Sequence, residues 1–367
     1  MKKKKFDLGN VKLGNNVGVH QIFYHLDALA KWKSGEYFPP IFVDISPTSA
    51  CNHNCFFCFT EWLRAKPKTM PGDLLIKIFT DMAKAAVKTC EIQGSGEPFL
   101  NPALPDAIVA GKKRGMNICV VTNGTLLNQE ILNKIMPCLS FFRVSNLEHT
   151  PQLYAKTHGC REDDFFKAIG SLKEAIKIRD RRGLDTIITA TIMAFYYNAP
   201  SIAETTKMLK DIGVDIVHIK APGIMQHNVG HKWEMDAHIK FKDKFDEAKS
   251  LEDENFKVNI RCDYFDLYDK KCIRSYSKCY GIELAVHISP AAKIYPCYTY
   301  WEDDRYCLGD LKKKSFGEIW ASKERKKVMK RFYDEVDVKK CLFYCKQHSS
   351  NKILWELSNP PLHADTF

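Results

Sequence analysis

Three cysteines within eight residues, Cys51, Cys55 and Cys58, form the stretch of this chain best suited to chemistry. They follow the short apolar run 41–45, so we expect them in a loop that leaves the end of a strand. Three thiolates from one loop can bind three irons of a [4Fe-4S] cluster and leave the fourth iron open to a small molecule. A structural zinc site would need a fourth protein ligand, and none lies at a zinc-finger offset, although His53 lies inside the loop. Buried cysteines without a metal are the remaining alternative.

A second set of four cysteines lies in the C-terminal third of the chain. Its members are Cys279, Cys297, Cys341 and Cys345. The first two flank a predicted hairpin over 283–295, and the last two follow a helix predicted around 316–332. Four thiolates can fully ligate a second [4Fe-4S] cluster, and the same four suit a tetrahedral zinc ion. The residues alone leave both metals open.

The other seven cysteines are not assigned to a metal. Four lie in or beside predicted strands and helices and are interpreted as packing residues: Cys90, Cys119, Cys138 and Cys160. Three lie in the C-terminal region without a partner pattern: Cys262, Cys272 and Cys307. We expect most of these three to be structural, with one a candidate redox or hydrogen-donor thiol.

The composition of the 367 residues, 45% apolar and 27% charged, is that of an ordinary soluble globular protein. No run of eighteen apolar residues predicts a membrane-spanning helix. The basic start, 1–5, lacks the apolar stretch of a signal peptide, so we expect a cytoplasmic protein. Thiols stay reduced in that compartment, and fourteen cysteines there point to metal binding or catalysis before disulfides.

The net charge of +11 allows more than one partner class. The lysines are spread over many predicted helices and are not gathered in one patch, so we do not expect a nucleic-acid partner. RNA modification stays a lower-ranked alternative. An anionic small molecule, or solubility alone, explains the charge equally well.

Strand-like and helical runs alternate along most of the chain. The predicted strands are 41–45, 91–94, 117–122, 141–145, 187–194 and 216–220. The predicted helices between them are 72–88, 104–114, 129–136, 164–179 and 203–212. Such alternation implies parallel strands in an α/β sheet or barrel. A short amphipathic helix is also predicted before the first strand, from the spacing of Ile22, Leu26, Leu29 and Ala30.

Polar motifs follow these strands, at the edge where parallel barrels carry their active sites. The run Gly94-Ser95-Gly96-Glu97-Pro98 ends the second predicted strand. Its glycines allow close backbone approach, and Glu97 can accept hydrogen bonds from an ammonium group. The alternative is a tight turn whose glutamate is merely solvated.

The cysteine spacing resembles the signature loop of the radical S-adenosylmethionine (SAM) enzymes. The resemblance implies a [4Fe-4S] cluster on Cys51, Cys55 and Cys58, with SAM chelating the open iron, and an open (β/α)6 TIM-like barrel. It places the aromatic residue before the third cysteine, Phe57, near the adenine. The Ser95–Pro98 motif resembles the family's Gly-Gly-Glu-Pro motif, which contacts the SAM amino group, with Ser95 in place of a glycine.

The resemblance also assigns SAM contacts to the ends of later strands. Polar groups there would bind its ribose and carboxylate, with Ser145 the first candidate, followed by Thr122 and Asn123. Thr191 would face the barrel interior. The sixth strand ends at Ala221, where the family supports the adenine.

The C-terminal region resembles the auxiliary-cluster extension called SPASM, in the motifs Leu308-Gly309-Asp310-Leu311 and Phe316-Gly317-Glu318-Ile319-Trp320. The cysteine groups of the complete extension are missing, so its shorter one-cluster form, called twitch, fits better. We therefore expect two clusters in all. The expected divisions are an N-terminal extension (1–39), the barrel (40–235), a linker helix region (236–260) and a small α+β auxiliary domain (261–367).

The resemblance implies an oxidoreductase or epimerase. Reductive cleavage of SAM would give a 5′-deoxyadenosyl radical that abstracts a hydrogen atom from the substrate, with electrons from an external donor such as flavodoxin or ferredoxin. The first expectation is a small carbohydrate-like substrate that is dehydrogenated or epimerised. The alternatives are a ribosomally made peptide and, from another class, a non-catalytic iron–sulfur or zinc protein.

Overall fold

The computed structural model describes residues 21–223, 236–261, 274–341 and 345–363. Its centre is one ten-stranded sheet with the order β10-β9-β8-β1-β2-β3-β4-β5-β6-β7. The strands are β1 (Phe42–Ile45), β2 (Thr89–Ile92), β3 (Asn117–Thr122), β4 (Leu139–Val144), β5 (Ile187–Met193), β6 (Ile216–Lys220), β7 (Lys257–Ile260), β8 (Ala285–Ile288), β9 (Lys293–Tyr295) and β10 (Gly309–Asp310). All pairs from β8 through β1 to β7 are parallel, so the predicted α/β partial barrel is confirmed.

Two parallel strands extend this barrel beyond the six that the sequence predicted. The strand β7 pairs with β6, and β8 pairs with β1 on the other side, with Asp44 opposite His287. The residues of β7 fall in the expected linker region and those of β8 in the expected auxiliary domain. The sheet therefore continues without a break across the expected boundary at residue 261.

Twelve α-helices lie among the described residues. They are α1 (Leu26–Ser34), α2 (Gly72–Lys84), α3 (Leu104–Lys112), α4 (Gln129–Ile135), α5 (Pro151–His158), α6 (Asp163–Arg182), α7 (Ile202–Ile212), α8 (Ala237–Lys240), α9 (Lys242–Ser250), α10 (Phe316–Ala321), α11 (Lys323–Glu335) and α12 (His348–Ser358). Their apolar faces pack on the sheet, and buried side chains such as Phe79, Phe142 and Leu172 form one continuous core. None of the described helices is both long and apolar enough to span a bilayer.

The first predicted barrel helix, α2, ends four residues earlier than the expected Lys88. The chain turns at Ala86, whose φ of 64° is left-handed, and Val87 then enters the core ahead of β2. Helical geometry cannot continue through such a residue, which explains the earlier end.

The N-terminal helix α1 packs on the C-terminal part of the chain. Leu29 and the preceding Ile22 are buried in a small cluster with Leu284 and Leu354. The expectation that Leu26 also faces the core is wrong, since Leu26 is 64% exposed, and Ala30 is exposed as well. The helix presents a narrower apolar stripe than its spacing suggested, because one turn is enough to cover the small cluster.

The predicted C-terminal hairpin is formed by the antiparallel strands β8 and β9. The helix α10 follows, and it begins with a capping box in which Ser315 and Glu318 satisfy each other's backbone amides. Trp320 on this helix is fully buried, and its indole Nε1 donates to the Phe38 carbonyl at 2.6 Å. This hydrogen bond joins the expected auxiliary domain to the residues just before β1.

Candidate active site and cluster loops

The loop with Cys51, Cys55 and Cys58 leaves β1 and lies directly against the Gly94–Pro98 turn. The Glu97 amide donates to the Ala50 carbonyl at 2.9 Å. A Cβ atom on Gly96 would lie 2.0 Å from that oxygen. Only glycine permits this approach, so the two predicted motifs form one structural unit.

The three thiols of the loop influence one another electrostatically. Burial raises the pKa of the Cys55 thiol, and the neighbouring Cys58 and Cys51 raise it further. The thiolates would therefore repel one another in this half-buried loop unless a positive centre lay between them. Such a donor set fits an iron–sulfur cluster, whose irons are bound by thiolates.

A histidine that the sequence analysis did not single out supports this loop. His158 ends α5, and its Nδ1 lies 3.2 Å from the Cys55 Sγ while its Nε2 lies 2.6 Å from the Asn146 carbonyl oxygen. The Asn54 amide donates to the His158 carbonyl at 2.9 Å. The His158 ring is almost fully buried, and burial lowers its pKa to about 3.

A side-chain network joins the loop to the end of β3. The Asn123 Nδ2 donates to the Asn52 Oδ1 at 2.9 Å, and the Asn52 Nδ2 donates to the Thr125 Oγ1 at 2.8 Å. The Thr125 hydroxyl donates back to the Asn123 Oδ1 at 2.8 Å. Asn123 was predicted as a SAM contact, whereas the structure has it also positioning the cysteine loop. Asn52 and Thr125 were not identified from the sequence.

Glu97 is 2% exposed, so the interpretation of a merely solvated turn residue is wrong. Its Oε1 accepts from the Thr122 hydroxyl at 2.7 Å and the Phe99 amide at 3.1 Å, and its Oε2 accepts from the Asn123 amide at 2.8 Å. Burial raises the pKa of Glu97, while these hydrogen bonds oppose the rise. Each carboxylate oxygen has two lone pairs, so Oε2 can still accept from an ammonium group.

We predict that Glu97→Gln destabilises the protein by about 1–3 kcal/mol, because an amide group would face a backbone N–H donor in a buried place. Urea unfolding measures the change. Glu356→Gln is the matched control, since Glu356 is exposed on α12 and should change stability by less than about 0.5 kcal/mol. Equal stability of the two variants would contradict the inference that the Glu97 carboxylate stabilises the fold through these hydrogen bonds.

The other predicted SAM contacts differ in whether their hydroxyl groups already form hydrogen bonds within the protein. The Ser145 hydroxyl has no hydrogen-bond partner among the described residues, so it can bind a ligand. The Thr191 hydroxyl instead bonds the Asn146 amide at 2.8 Å and the Asn146 Oδ1 at 3.2 Å. It fixes Asn146 in its left-handed conformation (φ 54°) at the end of β4.

The remaining candidates line the same region. Phe57 is 6% exposed and packs in a small cluster with Met193 and Phe195. The Ser95 hydroxyl lies 3.0 Å from the Ser46 hydroxyl, and Pro98 begins a buried turn. Ala221 is buried beside a cavity.

This cavity opens between the cysteine loop, the ends of several strands and the auxiliary segment. The space inside it that water-sized spheres can occupy is about 150 Å³. Its polar lining includes Asp44, Gln93, Lys220, His287 and Lys346, and its aromatic lining includes Phe59, Trp62, Tyr298 and Trp301. None of these nine side chains was assigned a role from the sequence, so the chemistry of the cavity was missed there.

The four C-terminal thiols influence one another electrostatically. Burial raises the pKa of Cys345 to about 12, with further contributions from Cys297 and Cys341. Burial also raises the pKa of Cys279, and Cys345 raises it further. The Asn351 Nδ2 donates to the Cys279 Sγ at 3.2 Å. Cys345 therefore lies within electrostatic range of the other three cysteines, and their joint ligation of a metal stays a prediction.

The unassigned and packing cysteines have separate places. Cys90 is fully buried in the core as expected. Cys160 instead lies with His53 and Asp164 behind the cysteine loop. Cys307 is partly buried beside β10, and Cys262 and Cys272 lie outside the described residues.

Glu148, after β4, is a buried carboxyl group that forms no ion pair with any of the described residues. Its Oε1 accepts from the Asn198 Nδ2 at 2.7 Å and the Thr157 hydroxyl at 3.1 Å. Burial raises its pKa to about 7, against an ordinary 4.5, although these hydrogen bonds oppose the rise. Protonated Glu148 therefore stabilises the fold fully below pH 4.5, and this contribution is lost as the pH rises through about 7.

We predict that Glu148→Gln removes this pH dependence. The glutamine keeps an oxygen for Asn198, so the variant should gain up to about 3 kcal/mol over the native chain at pH 8 and little at pH 5. Urea unfolding of both proteins, cluster-free and at both pH values, gives the difference. A variant less stable than native at pH 8 would contradict the prediction.

Two family models match the chain over the regions that hold the two cysteine sets. The model of the radical SAM superfamily matches residues 45–189. The model of an iron–sulfur cluster-binding domain, SPASM, matches residues 279–346. The partial barrel, the cysteine loop and these two matches together place the chain in the class of SAM-dependent iron–sulfur enzymes. The chain belongs to the radical SAM superfamily and carries a C-terminal SPASM-type domain, so its cofactors are [4Fe-4S] clusters and SAM, as expected.

Three curated relatives are similar over part or most of the chain. The "Tungsten-containing aldehyde ferredoxin oxidoreductase cofactor-modifying protein" of Pyrococcus furiosus is 24% identical over 75% of this chain and 79% of its own length. The "AdoMet-dependent heme synthase" of Methanosarcina barkeri is 21% identical over 80% and 85%. The "Antilisterial bacteriocin subtilosin biosynthesis protein AlbA" of Bacillus subtilis is 25% identical over 55% and 42%.

The SAM-bound crystal structure of SuiB from Streptococcus suis has the same fold. It matches with a TM-score of 0.62 and 16% identity, over 87% of this chain and 74% of that one. The partial barrel followed by an auxiliary segment is thus an arrangement known from experiment.

Proposed function

We propose that this chain reductively cleaves SAM and uses the resulting radical to abstract a hydrogen atom from a small-molecule substrate, as an oxidoreductase or epimerase. The observation that carries the proposal is the contact between the cysteine loop and the Gly94–Pro98 turn, where Ala50 and Gly96 touch without room for a side chain. When bound, the cluster supplies the electron and SAM the 5′-deoxyadenosyl radical.

The chain's own residues would hold these groups in place. Cys51, Cys55 and Cys58 would bind the first cluster. The amino group of SAM would lie at Ser95–Pro98, where the Glu97 Oε2 keeps a lone pair, and the Ser145 hydroxyl would donate to its carboxylate. Thr122 and Thr191 are already engaged in protein hydrogen bonds, so we infer that they act by positioning Glu97 and Asn146.

The remaining candidates would enclose the nucleoside. Phe57 and Ala221 offer apolar surface for the adenine, and Asn123 would border the ribose while bonded to Asn52. Burial of this wall excludes water from the reacting atoms, which protects a reactive radical from side reactions.

The second cluster would be held by Cys279, Cys297, Cys341 and Cys345. Full ligation by four thiolates leaves no iron for a substrate, so a role in electron transfer suits this site. Tyr298 and Trp301, just after Cys297, and Lys346, just after Cys345, line the cavity. The substrate would therefore lie between the SAM site and the auxiliary site, and the electrons would come from an external donor such as flavodoxin or ferredoxin.

Support for the substrate class comes from the cavity and from the relatives. Two of the relatives that match most of their own length are named for heme synthesis and for cofactor modification, which favours a small molecule. The relatives lend no support to the narrower carbohydrate expectation. The similarity to AlbA favours a ribosomally made peptide as the second candidate.

The test is anaerobic incubation of the reconstituted chain with SAM and dithionite. Release of 5′-deoxyadenosine is expected even without substrate, at a low rate. Its absence, with both clusters loaded, would favour a non-catalytic iron–sulfur protein. Salt-sensitive binding of RNA to the chain would instead support RNA modification as its function.

A further inference from the structure

The cavity contains a lysine that forms no ion pair with the described residues. Lys220 ends β6 and lines the cavity, and among the described residues no carboxylate lies within ion-pair distance of its Nζ. Its side chain is half-buried, and a lysine charge held partly out of water is normally stabilised by a carboxylate, because an unpaired buried charge is costly. The cavity beside it has room for an anionic ligand.

The carboxylates nearest to this region are engaged elsewhere. Asp44 accepts from Gln93 and lies 3.5 Å from the His287 Nδ1 and 3.6 Å from the Lys346 Nζ. The Lys346 Nζ also lies 3.2 Å from the Glu91 Oε2. Burial would raise the pKa of Asp44, but Lys346, His287 and Gln93 together hold it below its usual range. Asp44 thus remains an anion that is already neutralised.

Three cations act on Lys220. Arg143, Lys346 and Arg261 lower its pKa, and Glu91 opposes them. The Arg143 Nε donates to the Thr189 hydroxyl at 3.1 Å, and Arg143 is not among the residues that line the cavity. Burial first, and then these three cations, lower the pKa of Lys220 to about 7. A negative group beside Nζ would relieve this repulsion and restore the full charge.

We propose that Lys220 is an anion receptor and that the substrate carries a carboxylate or phosphate, which the Lys220 ammonium binds inside the cavity. The proposal rests on the proposed function, because it names the substrate class of the same cavity. Trp62, Trp301 and Tyr298 then provide apolar walls for the rest of the substrate. A convergent cation among aromatic side chains is a common arrangement in small-molecule sites.

The anion that Lys220 binds could belong to the substrate or to SAM, since SAM also has a carboxylate, and the two sources must be distinguished. Lys220 shares its cavity with Asp44 on β1 and His287 on β8, and also with Ser95 and Ala221, which we propose contact SAM. Ser145, the candidate for the SAM carboxylate, follows β4 and is not among the residues that line the cavity. We assign Lys220 to the substrate on this separation from Ser145, and the SAM affinity measured below tests the assignment.

The experiment measures binding to the anaerobically reconstituted holoprotein by calorimetry, with inorganic phosphate and succinate as two probes and SAM as a third ligand. Lys220→Met keeps the length of the side chain and removes its charge, whereas Lys220→Arg keeps the charge. Lys330→Met is the matched control, because Lys330 is exposed on α11 and outside the cavity.

We expect the native chain to bind phosphate or succinate, and Lys220→Met to weaken that binding by about tenfold or more, the effect of losing one charged hydrogen bond. Lys220→Arg and Lys330→Met should bind within about threefold of native, and SAM affinity should be the same in all four proteins. The melting temperature of Lys220→Met should equal or exceed that of the native chain, since an unpaired charge has been removed.

Binding of neither probe by the native chain, or equal binding by Lys220→Met, would overturn the proposal. Weakened SAM binding in Lys220→Met would overturn it too, and would assign Lys220 to the SAM carboxylate. Release of 5′-deoxyadenosine by the native chain separates the two ideas: release without probe binding defeats only this inference, and probe binding without release defeats only the proposed catalysis.

Discussion

Replacing Cys51, Cys55 and Cys58 together by alanine is expected to lower the iron of the anaerobically reconstituted chain from about eight atoms per chain to about four. The same variant should release no 5′-deoxyadenosine, because the open iron that binds SAM is lost with the loop cluster. The loop is held by backbone bonds at Ala50 and Asn54 that alanine keeps, so the fold should survive. Iron and acid-labile sulfide are measured beside the nucleoside product.

The matched control replaces Cys279, Cys297, Cys341 and Cys345 by alanine. It should also retain about four irons, but with the loop cluster present and SAM cleavage preserved. If the native chain binds about four irons and the loop variant none, the C-terminal thiols hold zinc or nothing, and their electron-transfer role is wrong.

Gly96→Ala is expected to have nearly the same effect through packing alone. A Cβ atom there would lie 2.0 Å from the Ala50 carbonyl oxygen, so the cysteine loop must move away from the turn. Overpacking of this kind costs about 1–3 kcal/mol of stability. We expect the loss of the loop cluster, a fall to about four irons and no 5′-deoxyadenosine.

Gly170→Ala is the control for this change. Gly170 lies within α6, and nothing lies within 4 Å of its added Cβ, so alanine should stabilise the helix by about 0.5–1 kcal/mol. Full cluster loading in Gly96→Ala would mean that the cysteine loop and the turn can separate without consequence. That result would contradict the inference that they form one structural unit.

The barrel was predictable because its strands are short apolar runs between periodic helices. The strand β7 was not, since Lys257 and Asn259 give it the polar alternation of an exposed segment. The strand β8 was recognised as a strand, but its partner was not. Pairing with β1 depends on a contact between residues some 240 positions apart, as at Asp44 and His287, and no local pattern records it.

The site was predictable where its residues are neighbours in sequence. The cysteine loop and the Gly94–Pro98 turn can each be recognised from a few consecutive residues. His158 could not be found this way, because its contact with Cys55 arises only when α5 packs behind the loop. Asp44 offered one signal, a charge inside an apolar strand, and its partner Lys346 lies three hundred residues away.

The register between β1 and β8 has a consequence for how the chain can be divided. Both edges of β1 are paired, one by β2 and the other by β8. Removal of residues 262–367 would leave Phe42–Ile45 with a free row of backbone donors and acceptors beside the cysteine loop. Exposed apolar edges of this kind template strand addition between molecules. The barrel cut at residue 261 should therefore self-associate, and Lys substituted at Phe42, which is already half-buried at the start of β1, should reduce that association.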